Sequence, residues 1–447
     1  MGEPLAQSTG ANLDDALELG PVDAAALLPG AERRKVLAYA GVLLLLQNFA
    51  APNGGLIGVP ISFFLKNRLH LPAHELAIFN LWTGVPLYAA FVFGMLRDRW
   101  NPFGAGDKGH LVLFGVATAL IYAAVAFLSP TYAMLFAGVL IATACLQTVS
   151  AAANGLVSTI GQEHLMAGQA STVINLSTCL PAVVGYLLGG FFSDLLEGRG
   201  AASAARILFL VAAGLMAAVA VIGGAGPARF FAESRSRLAT SLAGDIARLV
   251  KRWPVYPPLI MLLLWDFAPA SGAVLQYHLA NALHASDTQV GAFYAIFYAA
   301  CVPTLLLYGW LCQRVRLSGL LFWSTLVAIP QWIPLVFAHS VGVALIMAVP
   351  IGLMGGLASA AYVDLAIRSC PKGLQGTMML LVVATAYYVA ARFGDVWGTQ
   401  LYDYRGGFLT TVIATTAVYA LILPVLLLAP RNLTSTSDGQ PLEAVVA

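Results

Sequence analysis

The segment Phe93-Gly94-Met95-Leu96-Arg97-Asp98-Arg99 closes a long apolar run. A heptad of the same cast, Tyr308-Gly309-Trp310-Leu311-Cys312-Gln313-Arg314, closes another run 215 positions later. An aromatic residue, a glycine, a leucine and an arginine keep step between the two. A second pair recurs at nearly the same distance. Leu65-Lys66-Asn67-Arg68-Leu69-His70 returns as Leu279-Ala280-Asn281-Ala282-Leu283-His284, 214 residues on. One such match could arise by chance; two at almost one offset indicate duplication. Repeated halves are the architecture of secondary transporters, whose sites lie near the midplane between the repeats.

Composition points to the same class. Apolar residues make up 59% of the 447 and charged residues only 10%, against about 25% in soluble domains. So little charge cannot solvate the outside of a water-soluble fold, whereas lipid solvates an apolar exterior. Stretches of about 20 apolar residues predict spans near 36–65, 75–96, 109–128, 131–160, 165–193 and 206–225. Six more are predicted near 255–282, 288–312, 318–338, 341–368, 374–402 and 407–429. The expected fold is an all-α membrane protein of twelve helices in two six-helix pseudo-repeats. Its units are an N-terminal tail (1–35), an N-terminal bundle (36–225), a central loop (226–254), a C-terminal bundle (255–429) and a C-terminal tail (430–447).

With an even number of spans, both termini share a side. Seventeen Lys and Arg fall on that side and five on the other, with Arg392 inside a span. The positive-inside rule then puts both termini in the cytosol of an inner or plasma membrane. The first 35 residues are acidic, lack a signal-peptide apolar stretch and read as a short disordered tail. The central loop carries Arg229, Arg235, Arg237, Arg248, Lys251 and Arg252. Its pattern Leu242, Ile246, Leu249, Val250 predicts an amphipathic interfacial helix. Five scattered cysteines and unpaired histidines give no metal-ligand spacing, so no metal is expected.

The heptad ending span two resembles the loop signature of the major facilitator superfamily. That resemblance implies a gate in which Gly94 permits close helix approach while Asp98 and Arg99 form a cytosolic latch, with Gly309 and Arg314 as the repeat's counterparts. Within the superfamily, Trp265-Asp266-Phe267-Ala268-Pro269, then Leu279 to His284, Val290-Gly291, Leu307-Tyr308-Gly309 and Cys370-Pro371-Lys372-Gly373 resemble the folate–biopterin transporter family. So do Pro86 and the run from Asp98-Arg99-Trp100 to Pro102-Phe103-Gly104. The chain departs from that family where Leu87, Tyr88 and Ala89 follow Pro86, and at Asn154 and Gln375, where the family carries charge.

Charged residues within spans mark a site, because each costs several kcal/mol in hydrocarbon unless paired or hydrated. Asp266 lies about eleven residues into span seven, roughly 16 Å at 1.5 Å per residue. Arg392 and Asp395 share a face of span eleven at i and i+3, and Asp364 lies in span ten. The superfamily resemblance places spans seven and eleven at or beside the central cavity. A bracing pair, Arg392–Asp395 or Arg392–Asp266, is the structural alternative. The first half offers Gln47 and Asn48 in span one and Asn154 in span four, as interhelical bonds or substrate contacts. The Asn53-Gly54-Gly55 stretch predicts a kink or local unwinding of span one.

No enzyme motif is present: no His-Glu-x-x-His, no Gly-x-Ser-x-Gly, no phosphate-binding Gly-Lys-Ser/Thr. Neither a cofactor nor a nucleic-acid partner is expected. The expectation is a monomeric secondary transporter in the lipid bilayer, working by alternating access on a small organic solute with a coupling proton. The family resemblance implies a folate- or pterin-like substrate. A muropeptide permease of the same fold, a channel, and a transporter-like receptor or scaffold are the alternatives.

Overall fold

The computed structural model describes residues 29–52, 73–128, 131–197, 201–235, 241–404 and 406–440, with six isolated positions between 57 and 71. Residues 1–28 of the predicted tail and the Asn53-Gly54-Gly55 stretch lie outside the described residues. Among the described residues there is no strand.

Among the described residues, all twelve predicted spans carry helices. They are α1 (Gly30–Phe49); α2a (Ala73–Thr83), α2b (Val85–Tyr88) and α2c (Ala90–Arg99); α3 (Asp107–Phe127); α4 (Tyr132–Glu163); α5 (Ala167–Glu197); and α6 (Ala201–Ala225). The second half holds α7a (Tyr256–Asp266) and α7b (Gly272–Tyr277); α8 (Asp287–Leu311); α9a (Leu317–Ala328) and α9b (Ile333–Val336); and α10 (Val341–Ser369). It ends with α11a (Gln375–Val382), α11b (the π-helix Val383–Ala390), α11c (Ala391–Tyr404), α12a (Gly407–Ala420) and α12b (Ile422–Leu426).

Among the described residues, nine of these spans are long and apolar enough to cross a membrane. The three others each have a local cause. In α1, Glu32, Arg33, Arg34 and Lys35 crowd the first turns. The second span breaks at Gly84 and Ala89 around Pro86, whose ring cannot continue the helical hydrogen bonds. The seventh breaks between Asp266 and Gly272. No more than half of any apolar window is buried inside the fold. The remainder is an outward apolar surface, for which only lipid is a good solvent.

The duplication read from sequence is also a backbone duplication. Leu71 N donates to Leu65 O at 3.2 Å, and 214 positions on Ala285 N donates to Leu279 O at 2.9 Å. Both repeats therefore close their first connecting turn with the same bond. In the second copy His284 takes a left-handed φ of 57° to make that turn.

The two ends of the described chain share one face. Glu32 pairs with Arg229 between α6 and α7a at 3.0 Å. At the other end Gly439 N donates to Leu165 O between α4 and α5 at 2.7 Å. This is the face that carries most of the basic residues. The predicted interfacial helix forms on it as Leu242–Lys251, capped by the Ser241 side chain. Asp245 and Leu249 face inward while Leu242, Ile246 and Val250 are exposed, a stripe at i, i+4 and i+8 suited to the bilayer surface.

Candidate transport site and gate

The interrupted seventh span places a carboxylate in the middle of the second half. Pro269 lacks an N–H and cannot continue α7a. The chain instead turns through Phe267–Ser271 and restarts at Gly272, whose φ of +53° is left-handed. A Cβ there would collide with Asp395 Oδ1, so only glycine fits. The broken backbone is satisfied within the protein, as hydrocarbon requires. Ala268 N donates to Asp266 O at 3.0 Å and Ser271 N to Ala268 O at 2.9 Å. Ala270 N donates to Thr415 Oγ1 on α12a at 2.8 Å.

Asp266 is the last residue of α7a, and its Oδ2 is buried with no hydrogen-bond partner. Aromatic rings wall the neighbourhood. Trp265 stacks on Tyr419 at 4.7 Å and meets Tyr362 edge-on at 5.8 Å, while Tyr387 on α11b and Tyr419 lie within Coulombic reach of the carboxylate. Buried polar groups normally find partners. One that does not, at the tip of a broken helix, is available to a proton or a solute.

The other residues singled out from the sequence divide by place. Asp395 Oδ1 accepts Ala273 N at 3.0 Å, at the start of α7b. Arg392 pairs with Asp395 at 3.5 Å, but its side chain is 69% exposed. Asp266 and Asp395 thus sit on either side of the same break, with Arg392 outside it. In the first half, Gln47 near the end of α1 and Gln147 midway along α4 are buried, and each has an amide oxygen without a partner. Asn48 Nδ2 donates to Ser177 O at 2.9 Å, and Asn154 Nδ2 to Ser150 O at 3.0 Å. The first ties α1 to α5, whereas the second stays within α4. Asp364 lies nearer the terminal face, where its Oδ2 accepts from Tyr308 at 2.8 Å and its Oδ1 from Arg368 at 2.8 Å.

That face is where the halves are tied. Asp98 Oδ2 accepts both Thr377 N and Thr377 Oγ1 at 2.7 Å, and Oδ1 accepts Gly376 N at 3.2 Å. The carboxylate thereby caps the N-terminus of α11a, where orphan N–H groups and the helix dipole favour an anion. Gly94 lets α2c approach: a Cβ there would meet Gly376 O and Thr377 Cα at 2.6 Å. Arg97, 1% exposed, holds the acid in place. It donates to Asp98 Oδ1 at 2.6 Å and forks onto both oxygens of Asp107. Arg99, the arginine singled out from the sequence, is exposed. The two arginines are two apart, on opposite sides of the helix, and the motif alone does not say which turns inward. In the second half Gly309 lies against Thr172 on α5, and Arg314 is exposed with its guanidinium 4.0 Å from the Trp310 ring.

Further bonds join the halves on the same side. Gln162 Nε2 donates to Ile367 O and Cys370 O, both at 2.7 Å. Ser171 Oγ donates to Ala360 O at 2.6 Å, and Ser359 Oγ to Asn175 Oδ1 at 2.7 Å. Toward the opposite face the halves meet through rings, Tyr186 on α5 stacking on Tyr294 of α8 at 5.0 Å. Among the described residues, the polar ties between the halves gather on the terminal face.

The sequence model of the Major Facilitator Superfamily matches residues 43–390. The chain belongs to the major facilitator superfamily. Solved superfamily structures share its fold. The human organic anion transporter MFSD10 (TETRAN) superposes with a TM-score of 0.63 at 15% identity, over 89% of this chain and 100% of that one. The transporter FucP in its outward conformation also gives 0.63 at 15%, over 88% and 98%. The E. coli fucose:proton symporter FucP gives 0.62 at 15%, again over 88% and 98%. No curated protein sequence matches the chain. Superfamily membership makes this a multi-pass membrane transporter, with no enzymatic role required of its residues.

Proposed function

We propose that the chain is a proton-coupled secondary transporter of a small organic solute, working by alternating access with Asp266 as the coupling group. The observation that carries this reading is the buried, partnerless Oδ2 of Asp266 at the tip of the broken α7a. A carboxylate held away from water and cations can trade a proton with one face at a time. The unpaired amide oxygens of Gln47, near the end of α1, and Gln147, midway along α4, offer acceptors in the first half for a solute's donors. The polar ties between the halves on the terminal face support two alternating states, since these bonds must break for the other state to form. Both termini face the cytosol on the charge asymmetry, and the protein acts as a monomer.

The motifs of span seven and of Cys370 to Gly373 make pterins and folates the first solutes to try, with muropeptide fragments as the rival class. A specific ligand raises the melting temperature by mass action. The purified protein is therefore screened for thermal stabilisation by folates, pterins, nucleosides, amino-acid derivatives and muropeptide fragments. The stabilising compound is then followed into proteoliposomes under an imposed pH gradient. Asp266→Asn is expected to bind but to lose gradient-driven accumulation. Accumulation equal to the parent would falsify the coupling role.

A further inference from the structure

The two halves differ at the acid of the gate, and at the arginine beside it, where Cys312 stands in register with Arg97. In the first repeat Asp98 caps α11a through Gly376 N and Thr377 N. The residue in register with Asp98 in the second repeat is Gln313, an amide without charge. Gln313 is exposed and its side chain donates back to Gly309 O on its own helix at 2.8 Å. It does not reach α5. Yet the N-terminus of α5, which occupies the place α11a holds in the other half, is capped. Gly168 N and Gln169 N each donate to the carboxylate of Asp438 at 3.1 Å. The pair Gly168-Gln169 matches Gly376-Thr377, each beginning one residue into its helix.

Asp438 comes from the segment after α12b, 125 positions downstream of Gln313. Its seat is built from both halves. Arg368 on α10 donates to Asp438 Oδ1 at 3.0 Å while also holding Asp364 at 2.8 Å, as Arg97 holds Asp98 and Asp107 together. The segment is anchored on both sides of the acid. Arg368 Nη1 donates to Leu433 O and Thr436 O at 3.2 and 3.0 Å, and Leu317 N to Thr436 O at 3.3 Å. Asp438 N donates to Cys312 O at 2.8 Å and Gly439 N to Leu165 O at 2.7 Å. The carboxylate is almost completely buried, its side chain 1% exposed.

We propose that Asp438 is the latch acid of the second half: the C-terminal segment supplies the helix-capping carboxylate that the repeat lost at Gln313, and this face opens only when Leu433–Gln440 leaves its seat. The segment bonds to α5 of the first half and to α8, α9a and α10 of the second. Separation of the halves must therefore break one set of contacts. Because the acid rides on a terminal segment and not on a span, the second latch can be released without moving a helix. That makes the C-terminus a control point for the transport cycle.

The inference rests on the alternating-access reading, and its test separates the two. Spin labels at Leu128→Cys and Tyr404→Cys, exposed at the opposite end of each half, are placed in the full chain with its native cysteines replaced. Their distance shortens whenever the sealed face opens. Asp98→Asn and Asp438→Asn are each expected to raise the ratio of short to long distances about fivefold, because the amide keeps the cap but loses the negative charge at the helix N-terminus and beside Arg97 or Arg368. Termination after Leu433 should reproduce Asp438→Asn, and Asp438→Glu should restore the parent distribution. In the chain retaining only Cys312, which is 1% exposed beneath the segment, faster alkylation by N-ethylmaleimide reports that the seat has been vacated. A vacated seat with an unchanged distance overturns the proposal. A shift for Asp98→Asn alone overturns the clasp and leaves alternating access standing. No shift for either variant overturns both.

Discussion

Asp395 and Ala273 join the two interrupted spans: the α11c carboxylate accepts the Ala273 N–H in the first turn of α7b at 3.0 Å. An acidic cap of this kind is worth about 1 kcal/mol, with a range near 0.5–2. Asp395→Ala is therefore expected to lower the melting temperature of the detergent-solubilised protein by a few degrees, and Asp395→Asn to recover most of the loss. Arg392→Ala should leave stability nearly unchanged, because an exposed ion pair contributes little. If Arg392→Ala lowers the melting temperature as much as Asp395→Ala, the exposed arginine is a brace after all.

Removal of Arg97 should be far more damaging than removal of Arg99. Its guanidinium is buried between Asp98 and Asp107, and breaking a buried pair from one side costs about 3–5 kcal/mol. Lysine cannot restore the fork onto both oxygens of Asp107. Arg97→Ala and Arg97→Lys are both expected to fail in folded yield by size-exclusion chromatography, while Arg99→Ala behaves as the parent. Equal yields from all three would remove Arg97 from the gate.

Gly94→Ala tests the closeness of α2c and α11a without touching a charge. The added methyl meets backbone atoms at 2.6 Å, which cannot swing aside, and overpacking of that kind costs about 1–3 kcal/mol. The sealed state should lose population. A short bis-maleimide linking Gln162→Cys to native Cys370, adjacent across the seal, should give a lower yield in Gly94→Ala than in the parent. An undiminished yield would show that the helices have slack there.

Gln47 and Gln147 separate binding from folding. Each buries an amide oxygen without a partner, so an apolar replacement of similar size removes an unmet acceptor and costs the fold little. Gln47→Met and Gln147→Met are expected to melt within about 1 kcal/mol of the parent and to weaken stabilisation by the transported solute. Loss of stability with solute binding intact would place these amides in the scaffold.

How far the site was legible depended on whether a residue's meaning is local. Asp266 stands out because an acid within an apolar run has few explanations, but the apolar pattern predicts span seven as one run over 255–282, and its break after Asp266 appears only in the structure. Asp98 could be found because it sits between a glycine and an arginine that recur at one offset as Gly309 and Arg314, in a heptad that resembles a known loop signature. Arg97 could not be told from Arg99, since which of the two turns inward depends on α3 and Asp107 lying behind one of them. Asp364 read as an intramembrane charge; its partners Tyr308 and Arg368 show it bonded near one face, a distinction set by helix packing. Asp438 carried no signal at all. An acid in a polar tail looks solvated until the tail is seen to fold back onto Gly168 and Arg368.

By itself the sequence determined the class, the twelve helices, the duplication and the face that carries the basic residues. Each follows from local composition: apolar length, helix breakers and charge placement act on the residues that hold them. The tertiary structure decided which charges meet, which stay unpaired, and that the C-terminal segment closes the second latch. Those outcomes depend on contacts between residues as far apart as Gly168 and Asp438, and hydrogen bonds of 3.1 Å exist only once every intervening helix is in place.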